Sequence, residues 1–475
     1  MTQTALPSAP SLPVADLRGQ IVGLDQQVPL LDGTLRQYVF LDNAASTPSL
    51  KSVQAKVNEA LLWYSSVHRG SGFKSLLSTH AYDRAREVVM GFVGGCPEHD
   101  VVVFGKNTSE VINIVATCGS WQPGDVVITT LMEHHSNDLP WRAVAQVDYA
   151  GVDECGCFDL NDLEAKLQRY AGRVKLVACT GASNVTGFTP PVHAVAALAH
   201  RYGALMLADC AQLAPHRAVA MGEPGTPEHL DFVTLSAHKM YAPFGTGAVV
   251  GPRSYFQQNP PAYRGGGTIE IVTLDEVFWA ESPDRNEAGS PNVIGAVAMA
   301  ESLRVLSQVG MDAIAEHEKA LTAYALERIQ AVPGLRLFGS CDPARVEDRV
   351  GVIPFLMEGI PHGKVAAFLS FEGAIGVRNG CFCAHPYLLH LMGISQAEYE
   401  RFKDQVLHND RSERPGMVRA SFGCYTSFEE VDHLVEMLHR LAAGDVAGAY
   451  EVDTCSGSYY PRGYDPQILN SYFSL

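Results

Sequence analysis

From Tyr38 onward, the sequence repeatedly sets a short, apolar, β-branched run against a longer stretch with helical periodicity. This alternation is typical of a sheet built from βα units, and runs that are apolar throughout indicate strands covered on both faces. The predicted strands are 101–104, 125–130, 174–180, 204–209, 231–236 and 247–251. The apolar positions of 192–202 predict a crossover helix between two of them. The pattern therefore predicts an α/β fold.

The length of 475 residues exceeds the roughly 250–300 residues at which single hydrophobic cores stop growing, so we expect more than one domain. A helical region at 294–332, interrupted near Gly310, leads to a C-terminal unit. In that unit a strand, a helix, a second strand and a second helix are predicted at 350–355, 363–372, 417–421 and 428–443. This order predicts a smaller α+β domain.

The predicted division of the chain has four parts. A loosely packed N-terminal arm covers 1–35, and a large domain covers 36–310, with its first residues able to pack against the small domain. The small domain covers 311–450, with an insertion at 388–416, and a tail follows at 451–475.

The composition excludes several classes of partner. The 52 acidic and 35 basic residues give a formal net charge of −17, which repels nucleic acid and anionic lipid. No apolar run approaches the roughly 20 residues that span a bilayer, and residues 1–13 lack the pattern of a secretory signal. The eleven scattered cysteines, an odd number, favour reduced thiols. We therefore expect a cytoplasmic protein with neither nucleic-acid nor membrane partners.

One lysine stands at the end of a predicted strand. In the segment 231–247, an apolar run delivers Ser236, His238 and Lys239 into a loop rich in Gly and Pro. An ordinary surface lysine is one interpretation. The other is a Schiff-base lysine, because an amine whose pKa is lowered by desolvation or neighbouring charge readily forms an imine. This segment alone leaves both open.

A carboxylate and an amide follow another predicted strand. Asp209 ends the strand 204–209, and Gln212 comes three residues later. Ligands of α/β sheets bind at the carboxyl ends of strands. The aspartate either caps a helix or, for a pyridoxal phosphate ligand, holds a protonated pyridine nitrogen, with Gln212 near the ring hydroxyl.

Two more segments carry polar side chains after predicted strands. Thr108 and Ser109 open a helix, which is either a plain helix cap or a cradle for phosphate. His134 follows the next strand, where a flat imidazole could lie over a planar cofactor. Its neighbour His135 diverges from it in most backbones, so no metal site is predicted.

Taken together and in this order, these segments resemble the class V aminotransferase family of pyridoxal phosphate enzymes, and within it the cysteine desulfurase and selenocysteine lyase branch. The similarity covers about 38–441 and includes Leu41-Asp-Asn-Ala-Ala-Ser46 and Val67-His-Arg-Gly70. It implies the fold type I, aspartate aminotransferase-like architecture of pyridoxal phosphate enzymes. That architecture has a large domain with a mainly parallel seven-stranded sheet and a smaller α+β C-terminal domain.

The resemblance also implies roles for individual residues. Lys239 corresponds to the Schiff-base lysine, and His134 to the histidine that stacks on the cofactor ring. The other cofactor-binding residues implied are Thr108, Ser109, Asp209, Gln212, Ser236, His238 and, from the other subunit of a homodimer, Ser290. The residues implied to hold the substrate carboxylate are Asn184, Arg378 and Arg419.

The segment 377–386 resembles the one that carries the nucleophile in the second group of desulfurases. There the cysteine comes five residues after the arginine, which selects Cys383 as the catalytic thiol. Cys381 is extra, and a glycine followed by Cys-x-Cys also resembles molybdenum cofactor sulfurases. Free cysteines are most often inert in the core, but a thiol in a turn beside an arginine can be exposed and reactive. Two thiols form only half of a structural zinc site.

These inferences predict a dimeric pyridoxal phosphate enzyme acting on a small amino acid. It removes sulfur from L-cysteine, or a close sulfur or selenium analogue, and leaves alanine and a Cys383 persulfide for a possible sulfur-acceptor protein. The alternative is a class V enzyme for β-elimination at carbon–sulfur bonds or for epimerisation, which needs no catalytic cysteine. A non-catalytic binding protein is disfavoured because Lys239, Asp209 and Gln212 are all present.

Overall fold

The computed structural model of the chain describes residues 13–68 and 70–475, so Arg69 of the 67–70 motif lies outside the described residues. The strands are, in chain order, β1 (Gln27–Pro29), β2 (Leu35–Gln37), β3 (Val39–Phe40), β4 (Asp100–Gly105), β5 (Val126–Thr130), β6 (Gln146–Ala150), β7 (Val174–Thr180), β8 (Leu205–Asp209), β9 (Phe232–Ser236), β10 (Gly247–Pro252), β11 (Ile269–Val272), β12 (Val277–Trp279), β13 (Leu335–Leu337), β14 (Val352–Met357), β15 (Ile375–Gly376), β16 (Arg378–Gly380), β17 (Met417–Ser421), β18 (Tyr450–Asp453) and β19 (Ser458–Pro461). The α-helices are α1 (Val14–Leu17), α2 (Lys51–Trp63), α3 (Phe73–Phe92), α4 (Thr108–Cys118), α5 (Leu139–Arg142), α6 (Leu160–Tyr170), α7 (Val192–Arg201), α8 (Arg253–Gln257), α9 (Val293–Val309), α10 (Met311–Ile329), α11 (His362–Gly373), α12 (His385–Met392), α13 (Gln396–Leu407) and α14 (Phe428–Ala442).

The largest sheet has seven strands in the order β4-β10-β9-β8-β7-β5-β6. Strand β10 runs antiparallel to β4 and β9, and the remaining pairs are parallel. The predicted mainly parallel, seven-stranded sheet is confirmed, and all six strands predicted from apolar runs belong to it. The seventh, β6, was missed because it lies at the sheet edge and carries exposed and half-buried side chains, including Gln146 and Asp148.

Helices cover both faces of this sheet, as the apolar strands predicted. One core contains buried side chains from α2, α3, α6, α7 and α9, and the core on the opposite face contains side chains from α4, α5 and α8. Each Å² of apolar surface that is buried stabilises the fold by roughly 25 cal/mol. Because helices cover both faces of these strands, side chains on both faces are apolar.

A second, four-stranded antiparallel sheet has the order β13-β14-β17-β16. Side chains of α10, α11 and α14 form its core. Helices α9 and α10 meet at the predicted interruption, Gly310, whose φ of +92° favours glycine. Among the described residues no single helix is long and apolar enough to cross a membrane. Helices α9 and α10 reach that length and hydropathy only when they are taken together, and they are bent by 75° relative to each other.

Residues 13–24 pack against the large core, which corrects the prediction of a loosely packed arm for this stretch. The side chains of Leu17 and Ile21 are 0% and 2% exposed and belong to that core. Arg18 lies between them and forms two hydrogen bonds with Glu430, at 2.8 and 2.9 Å. Leu17 and Ile21 are four residues apart in a segment that is otherwise rich in Pro and polar residues, so little in the sequence indicates that they are buried. The predicted domain boundaries themselves stay a prediction.

The predicted insertion and tail contain regular structure. Helix α12 and the Ser395-capped helix α13 occupy most of 385–407, and α13 has no buried residue. The tail folds as a β18–β19 hairpin, whose Tyr459 lies close to Gly363 at the start of α11.

Candidate active site

A cavity of about 540 Å³ lies at the carboxyl ends of β4, β5, β7, β8 and β9, where it is closed by residues of the smaller sheet. Parallel strands place their following loops at one edge of a sheet, so residues far apart in sequence meet there. The predicted site residues that line the cavity are Thr108, Ser109, His134, Asn184, Asp209, Gln212, Ser236, His238, Lys239, Arg378, Cys383 and Arg419.

Ser290 is the predicted site residue that lies elsewhere. It is exposed and lines a second, smaller cavity together with Tyr82 and Glu287. Its predicted contact with the cofactor of another subunit therefore stays a prediction.

Lys239 ends the 3₁₀ turn that follows β9, and its Nζ lies 3.3 Å from Gln212 Oε1. Desolvation lowers the pKa of this amine to about 8, and Asp209 opposes that shift. With such a pKa, a much larger fraction of the amine is neutral near neutral pH than for an ordinary lysine, and the neutral form can act as a nucleophile or base.

Asp209 ends β8 and is 5% exposed. Its Oδ1 accepts hydrogen bonds from Ala211 N at 3.1 Å and Thr234 Oγ1 at 3.2 Å. Burial raises the pKa of this carboxyl, whereas Lys239 and the two hydrogen bonds oppose the shift. A cation beside it would further favour the charged carboxylate, so the position suits a protonated ring nitrogen.

His134 is held as a neutral ring. Burial lowers its pKa to about 3, and its Nδ1 accepts a hydrogen bond from Ser136 N at 3.1 Å, so the proton resides on Nε2. The preceding Glu133 is buried and accepts from Thr130 Oγ1 at 2.6 Å and Asn137 Nδ2 at 2.7 Å. A neutral, flat imidazole fixed by its turn can stack on a planar ring.

The start of α4 fits a phosphate. Asn107 caps the helix by accepting from Glu110 N at 3.0 Å, and Thr108 Oγ1 is buried without a hydrogen-bond partner among the described residues. Gly247 permits the close approach of this loop to β10, because a Cβ there would lie 2.4 Å from the Asn107 carbonyl carbon. Free amides and an unpartnered hydroxyl at a helix N-terminus form an anion site.

Two arginines share one carboxylate at the cavity. Arg419 is 2% exposed; its Nη1 donates to Asn184 O at 2.8 Å, and its Nη2 lies 3.3 Å from Asp42 Oδ1. The more exposed Arg378 places Nε 3.1 Å from Asp42 Oδ2. Arg419 Nε has no partner in the part of the chain that the structure describes. Two guanidinium groups around one site can bind a carboxylate ligand.

The two thiols of the 381–383 segment have opposite environments. Cys383 is exposed at the cavity, and both it and Phe382 adopt positive φ, +56° and +52°. Cys381 is buried, donates to Pro415 O at 2.9 Å, and has a pKa raised by burial. Both cysteines line the cavity, and Cys383 is the one whose side chain is exposed there.

A chain of hydrogen bonds, here called the histidine chain, joins Arg414, His385 and His135. Arg414 Nη2 lies 2.7 Å from His385 Nε2, and His385 Nδ1 lies 3.1 Å from His135 Nε2. The two rings stack with centroids 4.9 Å apart. Because the guanidinium can only donate, His385 accepts from it and donates to His135. Burial and Arg414 lower the pKa of His385 to about 4, so this ring stays neutral.

The histidine chain holds the Cys383 turn against the sheet. His135 N donates to Cys383 O at 2.8 Å, and Asn184 Nδ2 donates to Phe382 O at 2.6 Å. Phe382 and Cys383 both have left-handed backbone conformations, which are strained. These hydrogen bonds stabilise the turn and thereby fix the position of the Cys383 thiol.

The model of the aminotransferase class-V family matches residues 39–434. The chain belongs to the class-V aminotransferase family. Within this family, similar curated proteins are named cysteine desulfurases. A probable cysteine desulfurase of Streptomyces coelicolor is 34% identical over 431 residues, which cover 88% of this chain and 94% of that protein. Another, from Mycolicibacterium paratuberculosis, is 33% identical over 440 residues, which cover 89% of this chain but only 58% of the relative's length.

Solved structures of cysteine desulfurases have the same fold. The apo structure of a cysteine desulfurase from Thermococcus onnurineus superimposes with a TM-score of 0.76 at 30% identity, covering 94% of this chain and all of that one. An Escherichia coli cysteine desulfurase in an S-sulfonic acid form gives a TM-score of 0.75 at 26% identity, covering 92% and 100%. The fold type I prediction is thereby confirmed.

The sequence did not reveal those residues of the site whose contact partners are far away in the chain. Asp42 lay inside a quoted motif, but its contact with the arginines required the fold. His135 was considered only as a metal ligand, and its stacking on His385 spans 250 residues. The pairing of His385 with Arg414 depends on how α12 and α13 return to β17, which no local signal reveals.

Proposed function

We propose that this chain is a pyridoxal phosphate-dependent cysteine desulfurase, which acts on L-cysteine or a close sulfur or selenium analogue and releases alanine. The observation that supports this most is one cavity that contains an amine of lowered pKa, two carboxylate-binding arginines and an exposed thiol, Cys383. The names of the relatives point to the same activity.

The cavity residues fit the polar groups of pyridoxal phosphate. When bound, this cofactor supplies an electron sink that stabilises negative charge on the substrate's alpha carbon. Lys239 would hold its aldehyde carbon, Asp209 its pyridine nitrogen and Gln212 its ring oxygen. His134 would lie against the ring. The phosphate would be bound by Thr108, Ser109, Ser236, His238 and, in a homodimer, Ser290 of the partner subunit.

The arginines orient the substrate. Arg419 lies buried beside Asn184, and Arg378 lies nearer to solvent, so a substrate carboxylate can replace Asp42 as their common partner. Carboxylates accept two parallel hydrogen bonds from a guanidinium, which fixes position as well as charge. Lys239, with a pKa of about 8, can then take up and return a proton near neutral pH.

Cys383 receives the sulfur atom. Its thiolate attacks the sulfur of the substrate, an S–S bond forms as the substrate's C–S bond breaks, and the electron pair of the C–S bond stays with carbon, which takes up a proton to become the methyl group of alanine. The product on the enzyme is a Cys383 persulfide. Because Cys383 is exposed, a sulfur-acceptor protein can reach it.

The eleven cysteines are all free, which fits a reducing compartment, so we place the reaction in the cytoplasm.

The test combines cofactor mapping with product analysis. Protein loaded with pyridoxal phosphate is reduced with borohydride, digested and mapped by mass, and we expect the pyridoxyl group on the Lys239 peptide. Incubation with L-cysteine should release alanine. A label on another lysine would contradict the cofactor assignment, and release of pyruvate and ammonia in place of alanine would indicate β-elimination.

A further inference from the structure

Three side chains of types that can bind a metal ion meet at the amino end of β4, on the opposite edge of the sheet from the active-site cavity. His99, Asp100 and His229 each offer one ligand atom, and these atoms lie within 4.8 Å of one another. His99 immediately precedes β4 and Asp100 is its first residue, whereas His229 comes from the loop between β8 and β9. The fold therefore brings together residues about 130 positions apart, which the sequence did not predict.

His229 carries the main observation. It is 2% exposed, and its Nδ1 donates to Gly222 O at 3.2 Å, so Nε2 has the free lone pair. This Nε2 is buried and has no hydrogen-bond partner among the described residues. A buried imidazole whose second nitrogen is fixed by a carbonyl is the form in which histidine binds a metal ion.

Asp100 and His99 complete the group. Asp100 is 1% exposed, its Oδ2 accepts from Cys96 N at 2.9 Å, and its Oδ1 lies 2.7 Å from His99 Nδ1. The His99 side chain is 41% exposed, which leaves a path for an ion from solvent. The rings of His99 and His229 have centroids 6.0 Å apart and are nearly perpendicular, so two nitrogens can approach one point from different directions.

We propose that His99, Asp100 and His229 bind a divalent transition-metal ion, with Zn²⁺ as the best fit. Two imidazoles and a carboxylate are zinc ligands, and the fourth position of a tetrahedral site would hold water on the exposed side. The ion takes the place of the proton between His99 Nδ1 and Asp100 Oδ1, and that proton moves to His99 Nε2. The ion also binds His229 Nε2, so both rings act as neutral imidazole ligands. It ties the 222–230 loop to the start of β4 and stabilises the fold by mass action.

The test is zinc titration of the metal-stripped, cofactor-loaded protein by calorimetry, with Co²⁺ absorption as a second readout. We expect one zinc ion per chain, a rise in melting temperature on adding zinc, and a cobalt spectrum without thiolate charge-transfer bands. His229→Gln and His99→Gln should each weaken zinc binding by about 10-fold or more.

The matched control is His408→Gln. His408 Nδ1 lies 3.5 Å from Asp404 Oδ1, an exposed histidine–aspartate contact on α13 that is not part of the three-ligand group, so its loss should leave zinc binding unchanged. The proposal is wrong if wild type binds no zinc, or if His229→Gln and His99→Gln bind it as wild type does. Thiolate bands in the cobalt spectrum would assign the ion to cysteines instead. His99 is exposed, so its variant tests the proposal even if His229→Gln fails to fold.

Discussion

Two walls of the active-site cavity are built in different ways. The wall from the seven-stranded sheet, here called the sheet wall, carries Asp209 at the end of the buried strand β8 and Lys239 at the end of the short turn that follows the buried strand β9. The opposite wall, here called the thiol wall, comprises 378–385 and carries an exposed cysteine in a left-handed turn. The charged groups of the sheet wall are held by buried strands, which suits the binding of a cofactor that stays in place. The exposed cysteine of the thiol wall suits a sulfur atom that has to be passed on.

The largest effect is expected on the sheet wall. Lys239→Ala removes the amine proposed to hold the cofactor and move the proton, so turnover should fall about 1,000-fold or more. Measurement of alanine release, together with the absorption of bound cofactor, checks this. Lys175→Ala, on an exposed position of β7, is the control and should keep full activity. Substantial alanine release by the Lys239 variant would show that the reaction does not depend on the Lys239 amine of the sheet wall.

The next effect distinguishes the two thiols of the thiol wall. Cys383→Ser should lower desulfurase turnover about 100-fold, because a hydroxyl is a far weaker nucleophile than a thiolate, while cofactor binding stays intact. Cys381→Ser keeps a donor for Pro415 O and should retain activity. Full turnover of the Cys383 variant would favour the elimination or epimerisation alternative.

The arginines are expected to contribute unequally. Arg419→Lys should raise the KM for L-cysteine about 10-fold to 100-fold, since a buried, charge-assisted contact is lost, whereas Arg378→Lys should raise it about threefold at most because that side chain is half exposed. Steady-state kinetics of both variants measure the difference. Equal KM values for the two variants would mean that the burial of a guanidinium group does not determine how much it contributes to binding of L-cysteine.

The smallest effect concerns the histidine chain. His385→Gln breaks the stacked, hydrogen-bonded link to His135 and should slow persulfide formation about twofold to fivefold, because the Cys383 turn loses one support. Single-turnover rates and unchanged cofactor absorption check this. His390→Gln, exposed on the same helix, should leave the rate as in wild type. An unaltered rate for His385→Gln would show that the chain does not position the thiol.

The same comparison explains what the sequence could predict. The sheet wall follows from local patterns, because an apolar strand and the polar residue after it are contiguous, as in 204–209 and 231–236. The partners of the thiol wall are distant in sequence: His385 contacts His135 across 250 residues. The N-terminal stretch was misjudged because two buried side chains, Leu17 and Ile21, are a weak signal in a short segment.

The central claim is that sulfur passes from the substrate to Cys383. Protein loaded with pyridoxal phosphate is mixed with one equivalent of L-cysteine, quenched, digested without reductant and analysed by mass. The account predicts one added sulfur atom on the peptide that contains Cys383, together with an equal amount of alanine. Alanine formation with the added sulfur on another cysteine, or an unmodified Cys383 peptide with no alanine, would contradict it.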